Sequence, residues 1–343
     1  MSWAPDSVVR DGTPGRGMRL AISGASHWHL ARHAQYLREA GARFVAVADL
    51  DAAVAAKWAG ELGAEVAADS DAIVRAKPDA VLLLGRVKEM AASARVFLDA
   101  GVPLLAEKPL GLTPDEVGGI AELAERKRAW VSVALVQRYD PIWDVLDRLR
   151  DAGRLGDVAH AHMRIVNGPP QRYAAWGSGW MLDPMTAGGG ALLNLGIHGL
   201  DYMRHLVGGP LTVVGAALGR RAHGLPIEDF GAVTLRGGSG FVGTVESGYT
   251  YPDSAAGMTR SGDNETRVAA QKAYLVGRDA NLTLVTPDEG ERPVHGGRSG
   301  DRYRDWAFDS LARLRAEKAP VARVRDCLEA VNLVFAAYAA ARG

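Results

Sequence analysis

The first 135 residues alternate short apolar runs with amphipathic stretches, and no other feature limits the possible folds as much. Five apolar runs have the length of buried strands: 18–24, 44–48, 80–84, 102–106 and 130–134. Stretches of helical periodicity separate them: 29–40, 52–62, 69–75, 87–100 and 113–128. Strands that alternate with helices predict a parallel sheet covered by helices on both faces.

Residues suited to ligand binding follow several of these predicted strands. Gly24, Asp49, Gly85 and the pair Glu107-Lys108 each come directly after an apolar run. In open α/β sheets ligands bind at the carboxyl ends of the strands, so we expect these residues to share one cleft. Strand, glycine turn, helix, strand and acid is the plan of a dinucleotide-binding unit. The sequence therefore predicts a doubly wound Rossmann domain with cofactor contacts at these positions.

The glycine turn departs from the usual dinucleotide fingerprint. Of G-x-G-x-x-G only Gly24 is kept, and Ser26 and His29 replace the other two glycines. Ser26 is small enough to admit a pyrophosphate, and His27 or Trp28 is expected to line the cleft. His29 and His33, at i and i+4, invite a metal interpretation, but no Asp, Glu or Cys stands near them in sequence, so no metal is predicted.

Asp49 indicates which dinucleotide is used. A carboxylate at the end of the second strand accepts hydrogen bonds from ribose hydroxyls. It repels a 2′-phosphate by about 4 kcal/mol at 4 Å in a surface-like dielectric. The sequence predicts NAD over NADP. Asp49 can also serve as the cap of a helix that starts near Asp51.

The second half reads as an α+β domain. Its predicted strands, several without helices between them, favour an antiparallel sheet: 157–166, 211–219, 229–236, 240–250, 266–276 and 280–285. A loop at 167–184 carries Trp176 and other aromatic residues that suit stacking on a sugar. The segment 252–264 is polar and flexible by composition. Helices are predicted at 301–317 and 321–341, and the last one can pack back on the first domain.

A glycine-rich turn at 188–190 leads into a predicted helix that carries Asn194, His198 and Asp201. At i, i+4 and i+7 these three polar residues would share one helical face. One interpretation is a catalytic or binding site. The other is a buried polar seam in which His198 is hydrogen-bonded and inert.

Charge and composition exclude several classes of protein. Lys plus Arg and Asp plus Glu both number 40, which argues against nucleic acid as a partner. No apolar run is long enough to span a membrane. Cys327 is the single cysteine, so no internal disulfide can form, and a reducing, cytoplasmic location is expected. The polar residues 1–17 are expected to form a flexible extension, followed by domains at 18–137 and 138–343.

Two stretches together resemble one protein family. They are Ala106-Glu107-Lys108-Pro109-Leu110 and the run from Gly188 to Asp201, which contains Asn194-Leu195-Gly196-Ile197-His198-Gly199-Leu200-Asp201. In this order they resemble the glucose–fructose oxidoreductase, inositol dehydrogenase and rhizopine catabolism (Gfo/Idh/MocA) family. Supporting stretches are Gln137-Arg138-Tyr139-Asp140-Pro141, Gly153 to Val158, and Trp180 to Pro184.

The resemblance implies NAD(P)-linked oxidation or reduction of a sugar, polyol or related carbonyl compound. It places the family's catalytic lysine at Lys108 and its catalytic histidine at His198, with a cis bond before Pro109. Glu107 and Gln137 are then expected at the cofactor. Arg138, Trp176, Asn194, His198 and Lys108 are expected at the substrate. The large sheet is expected to form a homodimer or homotetramer contact.

One departure from the family pattern keeps other functions open. The family's usual Asp, four residues before the histidine, is Asn194 here, and an amide cannot take a proton. The first alternative is a non-catalytic sensor of ligand or NAD. The second is a lyase or glycosidase that uses bound NAD for transient oxidation of a sugar carbon.

Overall fold

The computed structural model describes residues 2–6, 12–252, 262–278 and 281–342. Its first part has six strands: β1 (Arg19–Ser23), β2 (Arg43–Ala48), β3 (Glu65–Val66), β4 (Ala80–Leu83), β5 (Leu104–Ala106) and β6 (Val131–Val133). Five helices connect them: α1 (Leu30–Glu39), α2 (Ala52–Leu62), α3 (Ser70–Arg75), α4 (Val87–Asp99) and α5 (Pro114–Lys127). The strands are parallel, in the order β3-β2-β1-β4-β5-β6. This is the doubly wound order of a Rossmann fold, and the predicted fold class is confirmed.

Local signals set the helix boundaries in this part. Thr113 caps α5 by accepting a hydrogen bond from the Glu116 amide, and Pro114 occupies the first helical position. At α2 the cap is Asp51, whose carboxylate accepts from the amides of the first turn. The interpretation of Asp49 as the cap is therefore wrong, because Asp49 instead accepts from the Asp51 amide at 2.9 Å.

The second sheet has eight strands: β7 (Val158–Asn167), β8 (Leu211–Gly219), β9 (Phe230–Gly237), β10 (Val242–Gly248), β11 (Gly262–Ala270), β12 (Tyr274–Arg278), β13 (Asn281–Thr286) and β14 (Gly290–Val294). Their order is β14-β13-β12-β11-β7-β10-β9-β8. Only one neighbouring pair in this order, β7 and β10, is parallel. The prediction of a large, mostly antiparallel sheet is confirmed.

Two expectations for this sheet were wrong in detail. The strand expected at 266–276 is two strands, β11 and β12, because the chain turns at 271–273. The polar segment expected at 252–264 lies mostly outside the described residues, and its last three residues already belong to β11. The charged residues of β11 occupy one face of a sheet strand, which composition alone does not reveal.

Six helices accompany the second sheet: α6 (Ile142–Asp151), α7 (Arg172–Ala175), α8 (Pro184–Ala187), α9 (Ile197–Val207), α10 (Arg302–Arg315) and α11 (Val324–Ala340). Helix α9 lies on β7 and β10. Helix α11 contacts α5 in the first part as well as α9 and β8, while α10 contacts α1. Helix α11 therefore joins the two sheets in one hydrophobic cluster, while α10 belongs to a second cluster with α1 and β1.

Residues near the N-terminus are more fixed than their composition predicts. The Trp3 indole donates to the Leu206 carbonyl at 2.9 Å, and the amides of Trp3 and Ala4 donate to Asp147. The Trp3 ring lies 6.4 Å from that of Trp143. Residues 2–6 thus pack on α6 and α9, and the expectation of a flexible extension is wrong there because one aromatic side chain has an apolar partner. No helix in the described residues is long and apolar enough to cross a membrane.

Candidate active site

A cavity of about 710 Å³ lies between the two parts of the chain. Lys108, from the end of β5, lines it on one side. Asn194 and His198, which precede and begin α9, line it on the other. Lys108 and His198, which the sequence predicts to share one pocket, both line this cavity.

Lys108 is held in place by the residue opposite it. Its Nζ donates to the Asn194 backbone carbonyl at 2.8 Å and to Asn194 Oδ1 at 2.7 Å. The peptide bond between Lys108 and Pro109 is cis, as the resemblance implies. Burial lowers the pKa of Lys108 below its ordinary value, although the Glu107 carboxylate raises it in part. A buried amine of lowered pKa suits a proton acceptor.

Two tyrosines fix the orientation of the Asn194 amide. Its Nδ2 donates to Tyr173 Oη and to Tyr249 Oη, both at 2.9 Å. With Nδ2 committed to the tyrosines, Oδ1 faces Lys108. Asn194 therefore positions the amine without adding a negative charge beside it.

His198 lines the same cavity as a neutral group. Burial lowers its pKa well below the ordinary value, and the charge of Lys108 lowers it further. Its Nδ1 has no hydrogen-bond partner among the described residues. An imidazole that stays neutral at pH 7 can accept a hydroxyl proton or donate to a carbonyl oxygen, depending on its tautomer.

The helix that carries these residues begins differently from the prediction. Residues Leu192–Gly196 form a π-helical turn before α9, which shifts the helical phase. Upstream of it, Glu228 accepts from the Gly190 and Leu192 amides and fixes the approach of the chain. Asn194 and His198 line the cavity, but Asp201 does not. Asp201 is buried and paired with Arg138, so only two of the three residues predicted to share one helical face meet in the cavity.

Arg138 is predicted to bind substrate, yet it does not line the cavity. Its guanidinium forms a two-bond ion pair with Asp201 and also contacts Asp326 at 3.0 Å. These carboxylates raise the pKa of Arg138 although burial opposes them. Arg138 joins α9 to α11 instead, because buried charges require partners.

Glu107 contacts two histidines that lie far from it in the sequence. Its Oε1 accepts from His29 Nδ1 and from His33 Nε2, both at 2.8 Å. Burial alone would raise the pKa of Glu107, but His29 and His33 outweigh it and hold the pKa well below its usual range. The carboxylate thus favours the His29 tautomer that carries its proton on Nδ1. The other ring nitrogen, Nε2, lies 3.2 Å from the hydroxyl of Tyr303.

An acid does lie beside the histidines, contrary to the expectation from local sequence. His27, His29 and Glu107 bring ligand-type atoms within 4.8 Å of one another. These atoms already satisfy each other, because His27 Nδ1 accepts from the His29 amide at 3.1 Å and Glu107 accepts from His29. The cluster is therefore described as a hydrogen-bonded group and not as a metal centre.

The glycine turn and the turn after β4 touch backbone to backbone. Gly24 and Gly85 have φ of +89° and +95°, and a Cβ on Gly24 would lie 2.6 Å from Gly85 Cα. Neither glycine lines the cavity; they let the ends of β1 and β4 meet. The Ser26 amide donates to Asp49 at 2.7 Å, which ties the turn to the end of β2.

The part of the cavity beside the first sheet fits a dinucleotide. Ala25 and Ser26 of the turn and Arg32 of α1 line it, where the guanidinium of Arg32 suits a pyrophosphate. Val54 and Trp58 of α2 line the same region and offer apolar surface to a base. The donor and apolar groups present thus match the predicted cofactor.

The structure brings most of the predicted residues to the cavity but not all. Those that line it are Ser26, His27, Trp28, Lys108, Gln137, Trp176, Asn194 and His198. Those that support it from behind are Gly24, Asp49, Gly85, Glu107 and Arg138. Sequence reasoning missed Arg172, Tyr249 and Tyr303. Tyr173 belongs to the loop 167–184, whose aromatic residues were expected to stack on a ligand.

Comparison with known protein families agrees with this geometry. Residues 18–135 match the "oxidoreductase family, NAD-binding Rossmann fold" model, and residues 143–276 match the "GFO/IDH/MocA C-terminal domain" model. The chain belongs to the Gfo/Idh/MocA family. The family's first domain is an NAD-binding fold, and β1 to β6 form that domain here.

Curated relatives carry names from inositol metabolism. Inositol 2-dehydrogenase 2 of Saccharopolyspora erythraea is 31% identical over 55% of this chain and 53% of its own length. Inositol 2-dehydrogenase of Rhizobium meliloti is 29% identical over 52% of each chain. The match with these two relatives thus spans about half of their length.

Solved structures share the fold over nearly the whole chain. An oxidoreductase domain protein from Kribbella flavida gives a TM-score of 0.82 at 19% identity, covering 96% of this chain and 97% of its own. Levoglucosan dehydrogenase, in complex with NADH and L-sorbose, gives 0.81 at 18% identity, with 95% and 97% covered. At this identity the likeness concerns the fold.

Proposed function

We propose that this chain transfers a hydride between NAD and a hydroxyl or carbonyl group of a sugar, polyol or related compound. The convergence of Lys108, Asn194 and His198 on one cavity, next to a dinucleotide-type turn, carries the proposal. The names of relatives, inositol dehydrogenases and a levoglucosan dehydrogenase, support the same class of substrate.

When bound, NAD supplies the hydride acceptor. The residues of this chain hold the substrate hydroxyl and accept its proton. Lys108, buried and of lowered pKa, is the proposed base, and Asn194 keeps its amine in place. His198, neutral because of burial, is proposed to hydrogen-bond the same oxygen and to share the proton. In the reverse direction the same two groups donate a proton to the carbonyl oxygen.

The direct test follows absorbance at 340 nm in the purified protein with NAD and a panel of sugars and polyols. Lys108→Met should lower turnover by about 10²–10⁴ while NAD binding persists, because only the proton acceptor is lost. Unchanged turnover would remove Lys108 from the mechanism. NAD retained through purification without net NADH formation would instead favour the lyase or glycosidase alternative.

We further propose that NAD is preferred to NADP. Asp49 lies at the end of β2 and holds the Ser26 and Asp51 amides, so its carboxylate is fixed where a ribose 2′-position is expected. The ratio of kcat/KM for NAD over NADP measures the preference. Asp49→Asn should reduce this ratio, and a higher kcat/KM with NADP in the unmodified protein would contradict the proposal.

A homodimer or homotetramer through the second sheet is also proposed, in a reducing cytoplasm. One face of β7 is polar and half-buried, with His162 bonded to Thr244 and Arg164 to Glu246, both on β10. Such a flat face suits contact with a second copy of the chain. Cys327 is buried as a free thiol, which suits a reducing compartment. Light scattering with Arg164→Glu tests the contact.

A further inference from the structure

The cavity carries a positive charge that the whole chain does not. Among the described residues that line it there is no Asp or Glu, but there are five cations: Arg32, Lys57, Lys108, Arg172 and Arg302. The chain as a whole has 40 residues of each sign. A cavity lined by one sign of charge concentrates ligands of the opposite sign.

The bound cofactor accounts for only part of this charge. Arg32 belongs to α1, where the pyrophosphate of NAD is proposed to bind, and Lys57 of α2 lies 4.0 Å from the Glu61 carboxylate. Lys108 is committed to Asn194. Arg302 already has a carboxylate partner, since it donates to Asp140 at 2.7 Å. Arg172 remains, on α7 and away from the first sheet.

Arg172 is held by aromatic rings without an anionic partner in the described part of the chain. Its guanidinium carbon lies 5.5 Å from the centre of the Tyr173 ring and 5.2 Å from that of Trp176. Its Nε is buried and makes no hydrogen bond there. A buried donor of a permanent cation is costly to leave unpaired, and a carboxylate or phosphate satisfies a guanidinium with two parallel bonds.

The position of Arg172 links it to the reacting end of the cavity. Tyr173, its neighbour in sequence and its stacking partner, accepts a hydrogen bond from Asn194, which in turn holds Lys108. Arg172 is thus linked to the proposed base through Tyr173 and Asn194, and Arg172 and Lys108 line the same cavity.

We propose that the substrate is an anionic sugar or polyol whose carboxylate or phosphate binds Arg172. This inference rests on the proposed function and narrows it. The names of the curated relatives denote a neutral polyol, inositol, so the inference separates this chain from them. Arg172 acts as a specificity-determining residue, and Lys108 and His198 keep the roles given above.

Matched substrates test the inference with the full-length protein and NAD. Within each set the ring hydroxyl groups are the same and only the group at C6 differs, as in D-glucose, D-glucuronate and D-glucose 6-phosphate, with the galactose and mannose sets beside it. An acidic member should exceed its neutral partner in kcat/KM by about tenfold or more, the scale of one charge-assisted contact. The better acidic member identifies carboxylate or phosphate as the anion.

The variant Arg172→Gln should abolish this preference, because it raises KM for the acid much more than KM for the neutral partner. Arg292→Gln, an exposed arginine paired with Glu289, removes the same charge far from the cavity and should keep the preference. Equal kcat/KM for acidic and neutral members, or an unchanged preference in Arg172→Gln, would overturn the inference while the proposed function stands.

A binding measurement separates the two proposals when no turnover is seen. Trp176 and Trp28 line the cavity, so tryptophan fluorescence reports on ligands there. Quenching by an acid of the panel in the unmodified protein, absent in Arg172→Gln, supports the anion site even if hydride transfer fails. The absence of quenching by every acid, together with no turnover of any acid, overturns it.

Discussion

The Lys108 amine donates hydrogen bonds to both oxygens of Asn194, the backbone carbonyl and the side-chain amide oxygen. An amide accepts these bonds without a charge, so it orients the amine and leaves its proton affinity low. The lowered pKa of Lys108, which burial causes, is thus preserved where an aspartate would oppose it. The departure from the family pattern at Asn194 is compatible with base catalysis.

Restoring the carboxylate at this position should shift the pH dependence of the reaction. In Asn194→Asp a negative charge faces Lys108 and raises the pKa of its amine. The increase of kcat/KM for oxidation with pH should therefore move to higher pH by about 1–3 units. The profile of kcat/KM between pH 6 and 10 measures the shift. Asn281→Asp, on an exposed strand end, is the matched control. A rise that stays in place would mean that Lys108 is not the group that titrates.

Neutralising Glu107 should act in the opposite direction. The carboxylate raises the pKa of Lys108, so Glu107→Gln should move the same rise in kcat/KM to lower pH. The variant also weakens the hydrogen bonds from His29 and His33, each worth about 1.5–3 kcal/mol when made to a charge. Its free energy of unfolding, from urea titration, should therefore fall. A shift to higher pH would contradict the electrostatic role assigned to Glu107.

The first domain could be predicted from the sequence because its signals are local. Alternating apolar and amphipathic runs define the strands and helices, and Thr113, Pro114 and Gly63 mark helix ends by backbone chemistry. Lys108 and His198 could be identified as candidate site residues because the two motifs that contain them resemble those of the Gfo/Idh/MocA family. The two-residue strand β3 carries too little pattern to be recognised.

The polar network around the cavity could not be predicted in the same way. Glu107 meets His29 and His33 across 78 and 74 positions of sequence, and only the parallel packing of β1 and β5 around β4 brings them together. Spacing alone places Asp201 beside His198, but the partner of Asp201 is Arg138, 63 positions away in the sequence. The π-helical turn at Leu192–Gly196 also changes the phase of Asn194 relative to α9, and a single sequence shows no sign of it.

Residues near the N-terminus should contribute to stability. Trp3 contacts Trp143, donates to Leu206 and lies under the Arg150 guanidinium at 4.7 Å. Trp3→Ala should lower the free energy of unfolding by about 1–3 kcal/mol, less than for a fully buried aromatic residue. The urea midpoint measures this, with Leu50→Ala, an exposed side chain, as the control. Equal midpoints for Trp3→Ala and the unmodified protein would show that this packing adds nothing in solution.

The two buried histidines of the cavity, His27 and His198, should make the fold sensitive to mild acid. Burial lowers the pKa of both well below the ordinary value of 6.5, so the folded state keeps them neutral while the unfolded state takes up protons. Stability is then complete above pH 6.5 and falls as the pH drops below it, approaching about 1.4 kcal/mol per pH unit for each histidine. Glu107, whose pKa is also lowered, adds its own loss only below its ordinary value of 4.5. Urea unfolding at pH 7.5, 6.5 and 5.5 measures the slope of the free energy of unfolding against pH. The variant His198→Gln should reduce this slope by the contribution of one histidine. An identical slope in the variant would show that His198 can be protonated within the folded state.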